Sequence, residues 1–584
     1  MLVFFMIVLM SVLGVLLYFK FFKQNSLKKA KTTSTGDGQM GTARWGTHAE
    51  MEETFHKIEY RPDLWRQGIE LPKAQGIIVH CEPAGMGAAT KFDSVKNRFN
   101  KTAGAEEKNP ILNCFVDDDD VHMLMIGAAG VGKTANFLYP NIEYAFASGM
   151  SFITTDTKGD LYRYTGTIGE KYYGYSIKVI DLRNPLASSG YNMIYLVNKY
   201  MDAYKKTKKL SYLAKAEKYA KITAKTIIEM GVDPGAFGQN SYFYDSAEGI
   251  VTATLLLIAE FGRKGERHII SCFKLIQDMM APSNIEGQNQ FQVLIDLLPE
   301  DSRARFYAAA ALKSSSDTMS SVMSTAMSRL LTFIDSELEQ IMCFKNSIDV
   351  ESFCDKKTAI YLVLPEEDTT KYFIASLFIQ QMYREMLMVA DSKGGKLDNR
   401  VMFYCDEIGT MPKIDGLEAM FSAARSRKIS IVAIIQSLSQ FEQKYGKEGS
   451  EIIQDNCQLT LFGGFAPNST TAEILAKNLG NQTIENMSVT KGAGILSTES
   501  SKTISMAQRA LMTPDELKNM PKGNFILMKT GCHPFKTKLL LFLKWGIKFE
   551  KQYRIENKEQ KKPKYMDKND LCDAVIDANP NIAS

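Results

Sequence analysis

The sequence has no CxxC pair: its nine cysteines, an odd number, are scattered among apolar residues without regular spacing. That pattern excludes a zinc or disulfide framework and reads as reduced core thiols of a cytosolic protein. A dominant charge of one sign is also missing, because 70 Lys and Arg face 66 Asp and Glu, a net charge of only +4. Any nucleic-acid surface must therefore be a local patch and not a global field. Internal repeats and extended low-complexity blocks are absent, and 45% hydrophobic with 23% charged residues excludes collagen-like, mucin-like and wholly disordered chains. At 584 residues the chain has room for two or three domains.

Long apolar runs are scarce as well. The one present, residues 2–18 (LVFFMIVLMSVLGVLLY), has no charge, and it is near the lower limit of about 17–25 residues for a membrane-spanning helix. A secretory signal would place positive charge before the run; here Lys20, Lys23, Lys28, Lys29 and Lys31 follow it. The run is thus expected to anchor the chain in the inner or plasma membrane by a single pass, with the bulk cytoplasmic by the positive-inside rule. Residues 25–40, rich in Ser, Thr, Lys and Gly, read as a flexible juxtamembrane linker.

Residues 121–126 (VHMLMI) form a short strand-like run that leads into Gly127, Ala128, Ala129, Gly130, Val131, Gly132, Lys133 and Thr134, followed by a helix-compatible stretch. This is GxxxxGK[ST] in its strand–loop–helix setting, the pattern of a loop that binds ATP with Mg²⁺. Glycines let backbone N–H groups curl around phosphate oxygens, and the helix adds its positive end. Lys133 is expected on the β and γ phosphates, and the Thr134 hydroxyl on Mg²⁺.

A second apolar run, residues 401–405, ends in Asp406 and Glu407. Alone this is weak evidence, for a strand ending in a solvated acidic turn is the commoner meaning of such a run. Beside the phosphate loop, Asp406 is expected to hold Mg²⁺ through water and Glu407 to act as general base. Residues 430–435 (SIVAII) form a continuous run of the kind that parallel sheets bury on both faces, ending in Gln436. Gln436 would emerge at the carboxyl edge of the sheet, where it can sense the γ-phosphate. Arg425 and Arg427 precede that run; one is a candidate arginine finger for a neighbouring subunit, the bland reading being cations at a helix carboxyl terminus.

Runs at residues 151–155, 177–180, 359–364, 459–462, 525–528 and 539–543 are further buried-strand candidates, and with intervening helices they describe a doubly wound α/β sheet. From about 199 to 346 strand signals vanish and helical periodicity takes over, which reads as an inserted all-α domain. Its first segment carries Lys205, Lys206, Lys208, Lys209, Lys215, Lys218, Lys221 and Lys225 against the single acid Glu217, with tyrosines interleaved. Such a stripe can neutralise nucleic-acid phosphates, although a solvated helix face is the commoner meaning of a Lys run. The acidic residues 117–120 read as a surface turn. His533 and the cysteines are assigned no chemistry.

Together with GTARWGT (residues 41–47), the Asp156-Thr157-Lys158-Gly159-Asp160-Leu161 element, NPL (184–186), FYCDEIGTMPKI (403–414), AARSRKISIVAIIQSLSQ (423–440) and RALMTPDEL (509–517), the phosphate loop makes a set of ordered motifs. In them the chain resembles the TraG family of coupling proteins of conjugation and type IV secretion systems, membrane-anchored P-loop ATPases related to FtsK-like motors. The resemblance implies a RecA- or FtsK-like P-loop NTPase fold with an inserted all-α domain and an N-terminal transmembrane helix. It also implies a homo-hexameric ring, with ATP hydrolysis delivering single-stranded DNA and its attached relaxase to membrane proteins of the secretion channel. Within it Arg425 matches the finger offered in trans, and Gln436 matches the motif coupling hydrolysis to movement. Asp156, Lys158 and Asp160 match a second signature whose role the residues do not reveal, and the helical insertion matches a substrate-engaging domain. Family members usually carry two membrane helices, whereas this sequence shows one.

The expected organisation is an anchor (1–20), a linker with the GTARWGT segment (21–70), a nucleotide-binding domain (71–198 and 347–545), the helical insertion (199–346) and a polar tail (546–584). The tail reads either as a cargo-recruiting segment or as a solvated end. A competing reading of the whole is a nucleotide-gated receptor that gathers protein cargo without pumping DNA.

Overall fold

A computed structural model of the chain describes residues 38–84, 111–229, 241–411, 413–414, 416–491 and 500–579. These residues divide into two units: the smaller takes in 38–47, 465–491, 500–520 and 531–535, and the larger the remaining described residues.

The larger unit opens with β1 (His56–Tyr60), β2 (Ile77–Pro83) and β3 (Leu112–Asp117), an antiparallel sheet in the order β1-β3-β2. The acidic turn after β3 is pinned by cations: Lys529 lies 3.0 Å from Asp117 and 2.7 Å from Asp119, and Arg400 lies 3.1 Å from Asp120. The main sheet is built from β4 (Met123–Ile126), β5 (Ser151–Asp156), β6 (Ser176–Asp181), β7 (Thr358–Val363), β8 (Val401–Cys405), β9 (Ile429–Ile435) and β10 (Leu459–Phe462). After β11 (Asn481–Lys491) and β12 (Ser500–Ala510), which belong to the smaller unit, β13 (Asn524–Lys529) and β14 (Phe535–Lys538) complete it. The order is β14-β13-β10-β4-β9-β8-β5-β7-β6. Neighbours from β10 to β6 run parallel, and β13 runs antiparallel to β10, so the sheet is mixed. Every residue of β4, β5, β7, β8 and β9 is buried, which is why these strands read as unbroken apolar runs.

The strand expected at residues 539–543 is corrected. Its place is taken by β14, whose residues alternate between buried and exposed. The run LLLFL instead enters a short 3₁₀ turn, Phe542–Trp545, with Leu541 42% and Leu543 58% exposed. An edge strand needs only one apolar face, so period 2 and not hydrophobicity marked it.

Between β6 and β7 the described residues hold helices and no strand. Helix Ser241–Phe261 is the hub, packed by Leu210–Glu229, Arg303–Leu312 and Ser316–Leu330. Every residue from Ile250 to Ala259 is buried, so this part of the helix is enclosed by protein all round.

The single-pass membrane localisation is also corrected. Among the described residues no helix is long and apolar enough to cross a membrane, and residues 2–18, on which that expectation rested, lie outside the described residues. The apolar helix Ser241–Phe261 carries Asp245, Glu248 and Glu260, and its residues 250–259 are all buried within the protein.

Beyond Lys548 the polar segment follows a hydrogen-bonded path. Tyr553 N–H donates to Arg163 O at 2.8 Å and Lys558 N–H to Leu186 O at 3.0 Å. Further on, the Lys564 carbonyl accepts from His268 Nε2 at 2.9 Å, and Met566 N–H donates to Ser271 Oγ at 3.2 Å. The path ends in helix Lys568–Ala578, capped by Asp567 and packed on helices Ile269–Met279 and Ser241–Phe261.

In the smaller unit β11 and β12 form a two-stranded antiparallel ribbon, and Thr42 of the GTARWGT segment bridges to Gln482. Thr513 and Glu516 form the capping box of helix Pro514–Lys518.

Candidate nucleotide site

The phosphate loop leaves the carboxyl end of β4 and is held by backbone bonds, Gly127 N–H to Ile435 O (3.1 Å) and Ala128 N–H to Gly464 O (2.9 Å). Gly132 sits at φ +102, closed to side chains, and a Cβ at Gly127 would stand 2.8 Å from Val131 Cγ2 and 2.9 Å from Gly463 O. The helix then opens on a wide π turn, Lys133–Leu138, before Tyr139–Ser148. Lys133, 7% exposed, donates from Nζ to Gly127 O at 2.8 Å, which folds its ammonium back over the loop.

Asp406 and Glu407 follow β8. The Asp406 carbonyl accepts from Thr155 Oγ1 at 2.7 Å, while its carboxylate Oδ1 is buried with no hydrogen-bond partner. Burial first, and the Glu407 charge second, push the Asp406 carboxyl up to about 7 against the pull of Lys133. Glu407 holds φ +52, a left-handed conformation costly for a side chain with a Cβ, by about 1–3 kcal/mol. That turn aims it back across the sheet: Oε1 lies 3.3 Å from Lys133 Nζ, and Oε2 accepts from Gln436 Nε2 at 3.0 Å. Gln436, just past β9, is itself fixed by its backbone N–H on Gln440 Oε1 at 2.8 Å.

These groups border a cavity of about 580 Å³ whose lining includes Thr134, Asp156, Lys158, Asp406, Glu407 and Gln436. Asp156 is buried at the end of β5 and pushed up to about 6 by that burial, against the backbone N–H groups of Tyr162 and Gly159. The orphaned Asp406 oxygen and the Thr134 hydroxyl are hard oxygen donors that fit Mg²⁺. Among the described residues no group of three or more His, Cys, Asp or Glu could hold a metal by protein ligands alone. The fit is therefore to an ion shared with substrate phosphates and water.

Arg425 is not brought to this cavity. It is exposed in the turn Arg425–Arg427 before β9, whereas Gln436 follows the far end of that strand. Because β9 runs parallel to β4, Arg425 lies at the amino edge of the sheet and the phosphate loop at the carboxyl edge, about 20 Å away along seven residues.

The lysines separate into three sets. Lys205 Nζ donates to the carbonyls of Ala259 (3.2 Å) and Glu260, tying down a helix end. Lys206, Lys208 and Lys209 are exposed at the turn between helices Tyr195–Thr207 and Leu210–Glu229. Lys218, Lys221 and Lys225 share the exposed face of the second helix, Lys225 lying 3.6 Å from Glu229. The acid within the stripe, Glu217, is engaged by Arg303 at 3.3 Å.

Sequence reading passed over Thr155, Tyr139 and Gln440, which complete the site. Gln440 had a signal, a second Gln four residues after Gln436; Tyr139 and Thr155 had none beyond burial.

A mixed α/β sheet with a phosphate loop at its centre and an acid pair two strands away defines the P-loop NTPase class. Within that class, the chain matches the family model described as Type IV secretory system Conjugative DNA transfer over residues 88–569, and it belongs to that family of coupling proteins. Type IV secretion system-coupling protein VirD4 of Bartonella henselae is 20% identical over 443 residues, 75% of this chain and 65% of that protein's own length. The chain thus spans just under two thirds of that curated relative. Among solved structures, the bacterial conjugative coupling protein TrwBdeltaN70 is similar with a TM-score of 0.54, at 14% identity, covering 90% of this chain and all of that one. Plasmid coupling protein TrwB in complex with ADP and Mg²⁺ is similar with a TM-score of 0.50, at 14% identity, covering 82% and 98%.

Proposed function

We propose that the chain is the ATPase of a conjugative type IV secretion system, hydrolysing Mg·ATP to recruit single-stranded DNA with its attached relaxase and pass it to the secretion channel. The observation that carries this reading is the contact chain Lys133–Glu407–Gln436, which joins the phosphate loop to two neighbouring strands at the mouth of one cavity. Lys133 and the backbone N–H groups of the loop bind the β and γ phosphates. Thr134 and Asp406 would hold Mg²⁺, which would supply positive charge against the nucleotide phosphates. Glu407 takes the proton of the attacking water, and Gln436 orients Glu407 and reports the γ-phosphate. The complex of TrwB with ADP and Mg²⁺ supports the choice of ligand.

Arg425 serves the site of an adjacent subunit in a ring of six, as the family resemblance implies; its distance from its own phosphate loop supports a role in trans. Lys206, Lys208, Lys209, Lys218, Lys221 and Lys225 contact DNA phosphates, with Lys205 bracing the turn behind them. The test is ATP turnover with and without single-stranded DNA, beside Lys133→Ala and Glu407→Gln. Assembly and nucleotide binding with no DNA response at any protein concentration would instead favour the receptor of protein cargo.

A further inference from the structure

The Asp156–Leu161 element forms a wall of the same cavity, and its construction points at Lys158. Strand β5 pairs in parallel with β8, Thr154 opposite Tyr404, so Asp156 and Asp406 stand level at the carboxyl edge. The turn that follows is clamped from two sides. On one side the buried Asp156 carboxylate accepts from Tyr162 N–H at 3.1 Å, and Gly159 at φ +73 turns the chain. On the other, Arg183 donates to Thr157 O at 2.9 Å and Lys158 O at 3.1 Å, and is itself held by Glu367 at 3.3 Å.

All of these contacts use the Lys158 backbone or its neighbours; none uses the ammonium. The Lys158 side chain is exposed, lines the cavity with Thr134, Glu407 and Gln436, and makes no ion pair among the described residues. The same lining carries the acids Asp156, Asp160, Glu366, Asp406 and Glu407. A cation on a clamped turn, with no ion pair among the described residues and lining the same cavity as Ala129 and Thr134 of the phosphate loop, suits a phosphate oxygen.

We infer that Lys158 binds the terminal phosphate of the nucleotide from the side opposite Lys133, with Asp156 and Arg183 as the residues that position its turn. This rests on the ATPase reading and assigns the Asp156–Leu161 signature its task. A diphosphate offers no oxygen at that point, so Lys158 distinguishes ATP from ADP and stabilises the charge that gathers on the γ-phosphoryl oxygens as the bond to the β-phosphate lengthens. No bond to Lys158 forms or breaks.

The test uses the full chain with Lys158→Ala, Lys158→Arg and Arg183→Ala. Affinities for Mg·ADP and for Mg²⁺ with a non-hydrolysable ATP analogue are measured by competition with a fluorescent nucleotide, beside steady-state turnover. For Lys158→Ala, the analogue is expected to weaken about tenfold while ADP stays within about twofold, and kcat to fall about 10–100-fold, the size of one charge-assisted contact. Lys158→Arg restores most of the selectivity. Arg183→Ala shifts the selectivity in the same direction with an unchanged thermal midpoint. Equal weakening of both nucleotides, or unchanged selectivity in Lys158→Ala, overturns the assignment to the terminal phosphate; unchanged selectivity in Arg183→Ala alone removes the clamp from it. Wild-type chain that binds both nucleotides with the expected selectivity but turns over no ATP would leave the contact standing and sink the ATPase reading.

Discussion

Gln436 and Glu407 meet across two strands of the sheet, Nε2 donating to Oε2 at 3.0 Å, while the other Glu407 oxygen faces Lys133. The left-handed backbone at Glu407 is what allows that double engagement. A carboxylate so held is oriented before substrate arrives, which is the condition for an efficient general base.

On the proposed reading, replacing Gln436 by Ala removes the contact that orients Glu407 and keeps Glu407 itself. The expected outcome is a kcat lowered about 10–100-fold with KM for ATP within about threefold. A change in KM alone, read from steady-state kinetics, would mean that Gln436 serves binding and not the chemical step.

The position of Arg425 at the opposite edge of the sheet from its own phosphate loop makes a mixing experiment decisive. Arg425→Ala and Lys133→Ala are each expected to be inactive alone. Mixed, they should recover activity if Arg425 is offered in trans, because an Arg425→Ala subunit then has an intact Arg425 beside it. No recovery on mixing, with mixed rings demonstrated, would contradict a finger in trans.

Glu385, on helix Tyr372–Ser392, is 2% exposed, and burial pushes its carboxyl up to about 7 despite Lys199 at 3.3 Å. The sign follows from the raised value. In the unfolded chain the group ionises near its ordinary 4.5, so the stability it contributes is full below that pH and is lost as pH rises towards 7. Glu385→Gln should therefore flatten the fall of the thermal midpoint between about pH 4.5 and 7. Lys199 is not stranded by the change, since Asp349 lies 3.4 Å away. An undiminished fall in the variant would place the titrating group elsewhere.

The carboxyl-terminal helix Lys568–Ala578 buries Leu571 and Val575 completely. Leu571→Ala should cost about 2–5 kcal/mol by leaving a cavity. Limited proteolysis should then cut first between 549 and 579 and next within the helical insertion. An unaltered cleavage pattern would show that the segment adds little to stability.

Much of the sheet was legible because parallel strands covered on both faces are written as unbroken apolar runs: residues 430–435 are the clearest case, and all seven residues of β9 are buried. The phosphate loop was legible for a different reason, since its glycines meet steric limits set largely within the loop itself, Gly127 against Val131 and Gly132 against Asn136. What failed was whatever depends on distant partners. β14 looked polar because one face is solvated, and LLLFL looked like a strand although no neighbour was there to pair with it. The tail beyond Lys548 read either as a cargo-recruiting segment or as a solvated end, because the carbonyls and hydroxyls that meet it belong to residues hundreds of positions away, such as Ser271 and Leu186. The approach of Glu407 to Lys133 depends on a backbone conformation that no composition announces. Thr155 and Tyr139 likewise join the site through sheet register and helix phase, which a single sequence leaves open.

The most direct test of the central claim is the rate of ATP hydrolysis by the purified chain over a range of protein concentrations, with and without single-stranded DNA, beside Lys133→Ala and Glu407→Gln. The expected result is turnover that rises with DNA and is lost in both variants, with nucleotide still bound by Glu407→Gln. Turnover unaffected by either substitution, or a chain that binds Mg·ATP and assembles yet hydrolyses none under any condition, would contradict it.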